Sequence, residues 1–209
     1  MARKTPKPAP HRPAGGRRPA GGPANRGPLP RRTDRPWGWI TTLAVMIVAA
    51  VTLIAYIATR PSATDIAGVS SYPNLPRDHV PGTVNYPQTP PAGGNHAPVP
   101  LTCGIYDQPV PNENAVHSLE HGALWITYQP ALPGAQLATL KSLVRGNDHR
   151  LLSPYPGLPA PIVATAWGEQ LAVNTADDPR LAKFASVYTQ GPTTPELGAP
   201  CQGVGTPAG

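Results

Sequence analysis

Residues Trp37 to Thr59 read WGWITTLAVMIVAAVTLIAYIAT, a run of 23 residues without a charged side chain. A helix of this length, rising about 1.5 Å per residue, crosses a hydrocarbon core of roughly 30 Å. Trp37, Trp39 and Tyr56 lie near the two ends of the run, where amphipathic rings favour the headgroup region. The run therefore predicts a single-pass transmembrane helix over residues 37–59. A cleaved signal peptide is the alternative, although its apolar region is typically only about 7 to 15 residues long.

The charge of the chain is divided unevenly around this run. Ten of the 17 Lys and Arg residues and one of the 11 acidic residues lie in residues 1–36, so that segment carries +9 and the remainder −3. The positive-inside rule then predicts a cytoplasmic N-terminus and an extracytoplasmic C-terminal part at the cell membrane. Nine Pro and five Gly in residues 1–36 predict a disordered tail. Because the tail carries no nucleic-acid-binding motif, we expect the membrane, and not nucleic acid, as the partner.

The rest of the chain has room for one hydrophobic core. With 31 Pro and 21 Gly in 209 residues, only part of the molecule is expected to pack as a globule. Residues 60–76, rich in Pro, Ser, Ala and Asp, predict a linker. Residues 77–201 then form the extracytoplasmic domain, which is large enough for one core, and residues 202–209 form a flexible C-terminus.

Hydrophobic periodicity and turn residues predict three helices and three strands in this domain. In chain order they are a helix at Ala115–His121, a strand at Ala123–Tyr128, a helix at Ala135–Arg145, strands at Pro161–Trp167 and Gln170–Val173, and a last helix opening at Asp177 or Asp178 with Pro179. The α-β-α-β-β-α order predicts a small two-layer α+β domain. The order also resembles the thioredoxin-like arrangement, in which Ala160-Pro161 would be the cis bond beside the active site. Since the first helix carries no Cys-x-x-Cys, exchange by a vicinal dithiol is excluded.

The two cysteines, Cys103 and Cys201, predict a disulfide, because paired cysteines outside the membrane are typically bonded. Closing a loop of about 100 residues would stabilise the domain by up to about 4.7 kcal/mol in the chain-entropy model. Thiolate ligation of a metal and a mixed disulfide with a partner are the alternatives.

The first predicted helix carries the strongest chemical signal. His117 and His121 are four residues apart, which places them on one helix face about 6 Å from each other, a spacing that suits two imidazoles on one metal. Glu120 completes a His-x-x-Glu-His pattern, the inverted zincin arrangement in which the carboxylate activates a metal-bound water. Glu120 is therefore the candidate catalytic base. In the simpler alternative, the histidines pack and hydrogen-bond to neighbouring strands.

Two further histidines, His79 and His96, lie on Pro-rich loops that a disulfide could hold near this helix. Three or four imidazoles around one ion suit copper or zinc. We therefore predict a metal site of His79, His96, His117 and His121. His149 lies in polar sequence, and we expect it to face solvent outside the site.

Several short motifs in this region resemble those of a bacterial, membrane-anchored family of unknown function, numbered 3105. They are His79-Val80-x-Gly82, Val84-x-Tyr86, Pro90-Pro91-x-x-Gly94-x-His96-x-Pro98, Gly104-x-Tyr106, Pro109-Val110-Pro111-x-Glu113 and Val116-His117-x-Leu119-Glu120-His121-Gly122. The resemblance covers residues 78–188, and the His-x-Leu-Glu-His-Gly run is its most specific part. It implies that the His, Glu and Tyr positions act as one constellation, but it brings no settled activity.

Three functions are compatible with these residues. The first is a membrane-anchored extracytoplasmic domain that binds copper or zinc without catalysis. The second is a metallohydrolase with Glu120 as general base. The third is a structural module that interacts with the cell envelope and whose histidines only pack. The small, Pro-rich domain favours the first.

Overall fold

The computed structural model describes residues 37–59 and 65–208, which fall into two compact units. The predicted disordered tail, residues 1–36, lies outside the described residues. Helix α1 (Trp37–Thr59) coincides with the apolar run. Its span from Trp37 to Tyr56 has a mean hydropathy of 2.2, with no part of it buried, so it is long and apolar enough to cross a membrane.

The second unit is built on a six-stranded mixed sheet, which confirms the α+β class. Its strands are β1 (Val69–Ser71), β2 (Gly104–Ile105), β3 (Leu124–Tyr128), β4 (Arg150–Pro154), β5 (Ile162–Ala166) and β6 (Glu169–Val173). Its helices are α2 (Asn112–Glu120), α3 (Gly134–Val144) and α4 (Pro179–Tyr188). The strand order is β1-β6-β5-β3-β4-β2, with β4 parallel to both its neighbours and the remaining pairs antiparallel.

The sequence predicted the three helices and the strands β3, β5 and β6, with ends that differ by a few residues. It missed β4, which has the sequence Arg-Leu-Leu-Ser-Pro and shows no alternation because it is buried between two parallel neighbours. It also missed β1 and β2, which have three and two residues and are too short to show a period. The observed order from α2 onward is α-β-α-β-β-β-α.

Strand β3 divides the core because its side chains alternate between the two faces of the sheet. Leu124 and Ile126 belong to a cluster with Leu140 of α3 and Phe184 of α4. Trp125 belongs to a second cluster with residues of α2 and the loops before it. The helix that carries the His-x-x-Glu-His motif is therefore fixed against its own buried layer.

Residues of both predicted flanking segments contact the domain. Ile66 is part of the core and β1 pairs with β6, although both lie in the predicted linker. Beyond Cys201, Val204 exchanges backbone hydrogen bonds with residues 100 and 102, and the Ala208 N–H donates to Ile105. The domain limits drawn from the sequence stay a prediction.

The cis peptide expected at Ala160-Pro161 is wrong, because in the described residues the cis bond lies at Thr89-Pro90. Pro161 leads directly into β5, and its carbonyl accepts the Gln129 N–H at 2.9 Å in line with the strand ladder. The extended strand continues through a trans bond at this point. The thioredoxin-like arrangement stays a prediction.

Candidate metal centre

Helix α2 presents three of the predicted site residues on one face. Val116 and Leu119 are fully buried and anchor the helix in the apolar layer under β3. His117, Glu120 and the C-cap residue His121 are also buried, although they are polar. Because polar side chains are seldom buried without partners, this face of α2 must contact other polar groups.

The loop of residues 78–98 brings in the other two histidines. His79 and His96 form an isolated bridge, in which the Val80 N–H donates to His96 at 2.8 Å and the His96 N–H donates to Asp78 at 3.1 Å. The loop is tied to α2 by the Ala97 N–H, which donates to the Glu113 carbonyl at 3.3 Å.

Tyr86 and Glu113 support the same loop. The Tyr86 hydroxyl donates to the Asn95 carbonyl at 2.7 Å, and Glu113 Oε1 accepts the Val84 N–H at 2.9 Å. Burial, followed by the charge of Glu113, raises the pKa of Tyr86, so this hydroxyl stays protonated and remains a donor. The Tyr and Glu positions named by the resemblance therefore hold the histidine loop in place.

Four of these side chains meet at one point. The ligand atoms of His79, His96, His117 and Glu120 all lie within 4.8 Å of one another, so this set could hold a metal ion. Glu120 Oε2 lies 2.9 Å from His96 Nε2 and 3.7 Å from His79 Nε2. Two donors on one tetrahedral ion lie roughly 3.3 Å apart, which is close to both distances.

His121 extends this cluster. Its Nε2 lies 3.0 Å from His117 Nε2 and 3.5 Å from Oε2 of Glu196, a residue that the sequence did not indicate. Glu196 follows Thr193-Thr194-Pro195 in a polar run without any motif. In the sequence, its only link to the site is its position five residues before Cys201. The structure also places Glu120 among the possible ligands, whereas the sequence motif suggested a general base.

Backbone carbonyls determine which nitrogen of each buried histidine faces the other side chains of the cluster. The Nδ1 atoms of His96, His117 and His121 lie 2.7, 2.6 and 2.8 Å from the carbonyl oxygens of Gly94, Ala97 and Pro200, respectively. A carbonyl oxygen only accepts, so each Nδ1 carries a hydrogen. All three Nε2 atoms are thereby turned toward the cluster, where that of His96 contacts Glu120 Oε2 and those of His117 and His121 contact each other. Proteins orient histidine ligands in the same way, by a hydrogen bond to the other ring nitrogen.

The pKa of His117 is lowered to about 4, chiefly by burial; the hydrogen bond to Ala97 opposes this shift and the neighbouring histidines add to it. His117 is therefore neutral at physiological pH. A neutral imidazole is the form that binds a metal.

Solvent reaches the cluster from one side. A groove of about 470 Å³ is lined by residues that include Arg77, Asp78, His79, Glu120 and Glu196. The side chain of His79 is 48% exposed, whereas that of Glu120 is 3% exposed. An ion at the cluster would be reachable from water through this groove.

The predicted disulfide between Cys103 and Cys201 is present. Both cysteines are therefore bonded, which removes them as thiolate ligands. The bond also ties residues 190–204, here called the C-terminal strap, to the loop that carries Cys103. Two hydrogen bonds hold the strap against the site: the Pro200 carbonyl accepts from His121 Nδ1, and the Glu196 N–H donates to the Glu120 carbonyl at 3.0 Å.

His149 is not solvent-facing, contrary to the expectation from its polar neighbours. Its side chain is largely buried, with Nδ1 2.9 Å from Asp148 and Nε2 3.0 Å from the Ala199 carbonyl. The strap covers this ring, which explains the difference. The cluster of possible ligands described above does not include His149.

A family model described as "Protein of unknown function (DUF3105)" matches residues 79–203. The match spans more than half of the chain and contains all the residues of the cluster, Glu196 and both cysteines. No curated protein and no solved structure matches the chain.

Proposed function

Since the chain belongs to the DUF3105 family, whose function is unknown, we propose that it is a membrane-anchored domain that binds one copper or zinc ion at His79, His96, His117 and Glu120. The supporting observation is the convergence of four donor atoms, since those of His79, His96, His117 and Glu120 all lie within 4.8 Å of one another. The carbonyls of Gly94 and Ala97 accept from Nδ1 of His96 and His117, which turns both Nε2 atoms toward that point.

The donor set favours copper or zinc over magnesium or calcium. Three imidazole nitrogens and one carboxylate oxygen suit the transition metals, whereas hard cations prefer a shell made of oxygens. His121 lies beside this set, with its Nε2 atom 3.0 Å from that of His117, and is a further donor that the ion could bind.

The proposal places the domain outside the cytoplasm. The positive charge of residues 1–36 favours a cytoplasmic N-terminus, and a disulfide favours an oxidising compartment. Helix α1 serves as the anchor. Within this proposal we keep the sequence-based limits of residues 1–36 for a disordered tail and 77–201 for the domain. Ile66, β1, Val204 and Ala208 attach parts of the flanking segments 60–76 and 202–209 to that domain.

The groove at Glu120 favours a second candidate, a metallohydrolase with Glu120 as general base. The two candidates differ in what Glu120→Gln does. A catalytic base is needed for turnover but not for binding, so the variant would keep the metal and lose hydrolysis. A ligand is needed for binding, so the variant would lose affinity. Because Glu120 Oε2 lies 2.9 Å from His96 Nε2, we expect lost affinity.

Metal titration of the full chain in detergent micelles tests the proposal. We expect Zn(II) and Cu(II) each to bind tightly with one equivalent at the cluster. In His117→Asn, the amide replaces Nδ1 as donor to Ala97 but removes Nε2, so we expect affinity to fall at least about 10- to 100-fold. His149→Asn is the matched control and should bind as the wild type does. Weak binding that His117→Asn or His117→Ala leaves unchanged would instead support a structural module.

A further inference from the structure

We infer that His121 and Glu196 form an outer loading position, where an incoming copper or zinc ion is held before it passes to the inner set of His79, His96, His117 and Glu120. This inference rests on the proposed function and assigns Glu196 a role in metal exchange. Three residues of the inner set are buried, so an ion must give up most of its water before it reaches them. A position at the rim, where the ion keeps part of its water while it binds its first protein ligands, divides this loss into two steps.

His121 has the geometry of a ligand but lies at the edge of the inner set. The Pro200 carbonyl accepts a hydrogen bond from its Nδ1–H, so its Nε2 atom faces His117 and Glu196. The two contacts, 3.0 Å to His117 Nε2 and 3.5 Å to Glu196 Oε2, are both close to the roughly 3.3 Å that separates two donors on one tetrahedral ion. His121 can therefore share an ion with either neighbour.

Glu196 connects this pair to water. Its side chain is 52% exposed and lines the groove, whereas the side chain of His121 is 11% exposed. An exposed carboxylate binds a hydrated cation at little desolvation cost, because it keeps much of its own water. The pair therefore offers one hydrated donor, Glu196, and one mostly buried donor, His121.

The backbone holds Glu196 at the cluster. Its N–H donates to the Glu120 carbonyl at 3.0 Å, so the backbones of these two groove residues are fixed relative to each other. Gln190 supports the same turn, because its side-chain amide donates to the His121 carbonyl and its Oε1 accepts the Gly198 N–H at 2.9 Å. The position of Glu196 is thus built into the strap.

The transfer step follows from the sharing of donors. An ion on Glu196 and His121 gains His117 as a third ligand, because the two Nε2 atoms are only 3.0 Å apart. It then loses Glu196 and His121 as His79, His96 and Glu120 complete the inner set around His117. No bond other than metal–ligand bonds is made or broken, and the ion keeps its oxidation state. The same steps in reverse release the ion.

A loading ligand has a distinct kinetic signature. Since it contacts the ion on the path but not in the final site, its removal slows binding and release by the same factor and leaves the equilibrium affinity unchanged. Trp167 provides a readout, because its ring centroid lies 5.9 Å from that of His96, and bound Cu(II) should quench its fluorescence.

The test uses Cu(II) and the full chain in detergent micelles, in the wild type, Glu196→Gln and Asp78→Asn. Stopped-flow quenching gives the association rate, and recovery in excess EDTA gives the release rate. In Glu196→Gln we expect both rates to fall by a common factor of about ten, the scale on which residues next to metal ligands act. Asp78→Asn removes the same charge from the same groove and should leave the release rate unchanged.

Each other result in Glu196→Gln overturns the inference. A slower association with unchanged release means that Glu196 only attracts cations, and a faster release with weaker affinity means that it belongs to the final site. Unchanged rates mean that it has no role. If the wild type binds no Cu(II), the proposed function itself fails, and the inference fails with it.

Discussion

His96, His117 and His121 show how the backbone can select a ligand atom at the scale of a single residue. Each ring donates Nδ1–H to a backbone carbonyl, at Gly94, Ala97 and Pro200. Two segments, the loop of residues 78–98 and the C-terminal strap, therefore place a hydrogen on the same nitrogen of all three rings. The Nε2 atoms are thereby turned to the side where a cation would bind.

The lowered pKa of His117 predicts a pH-dependent stability for the metal-free chain. The ring has a pKa of about 4 in the folded domain against an ordinary 6.5, so between these values the unfolded chain binds the extra proton. The free energy of unfolding should therefore fall as the pH is lowered through this range, by at most about 1.4 kcal/mol per pH unit from this group. Urea unfolding followed by tryptophan fluorescence measures the slope.

His117→Asn is the comparison for this measurement, because it removes the titrating ring and keeps a donor for Ala97. We expect a shallower loss of stability on acidification in the variant than in the wild type. Equal slopes in the two proteins would show that His117 does not carry the effect.

At the scale of elements, the site is a junction between α2, the loop of residues 78–98 and the C-terminal strap. Gly122 makes part of this junction possible, since it ends α2 at a φ of +87°, which favours glycine. A Cβ at this position would lie 2.5 Å from the Gln190 side chain and 2.8 Å from that of Thr194. The absence of a side chain thus lets the strap approach the histidine helix.

The disulfide predicts a coupling between domain stability and the metal site. Joining Cys103 to Cys201 closes 98 residues of sequence separation, so we expect the double variant Cys103→Ser/Cys201→Ser to lose up to about 4.7 kcal/mol of unfolding free energy. Since the strap also orients His121 and Glu196, Cu(II) association should slow in the same variant. Chemical unfolding and stopped-flow quenching measure the two effects.

Wild type that has been reduced, alkylated at both cysteines and freed of reductant before Cu(II) is added serves as the control and should behave as the double variant does. A double variant with the stability and association rate of the oxidised wild type would show that the backbone contacts of the strap are sufficient without the bond.

At the scale of the whole molecule, the sequence predicted the parts that depend on local pattern. The apolar run gives α1, and residue periodicity gives α2, α3, α4 and three of the strands. Strand β4 could not be predicted in this way, because a strand that is buried on both faces loses its alternation. The two short strands β1 and β2 depend on partners far away in the chain.

The site residues likewise fall into those that a local pattern indicates and those that it does not. The spacing on one helix indicated His117, Glu120 and His121. His79 and His96 were indicated by their residue type and by the Pro-rich loops that could bring them to the helix. Glu196 could not be indicated, because its place depends on a disulfide and a backbone hydrogen bond to Glu120. The role of Glu120 also depends on tertiary distances, which a motif does not contain.

Zinc K-edge X-ray absorption of the full chain, loaded with one equivalent of Zn(II), tests the central claim most directly. The account predicts nitrogen and oxygen ligands at about 2.0–2.2 Å. It also predicts the multiple scattering of three imidazoles, reduced to two in His96→Asn. A spectrum of zinc surrounded only by oxygen, with no imidazole scattering, would contradict it.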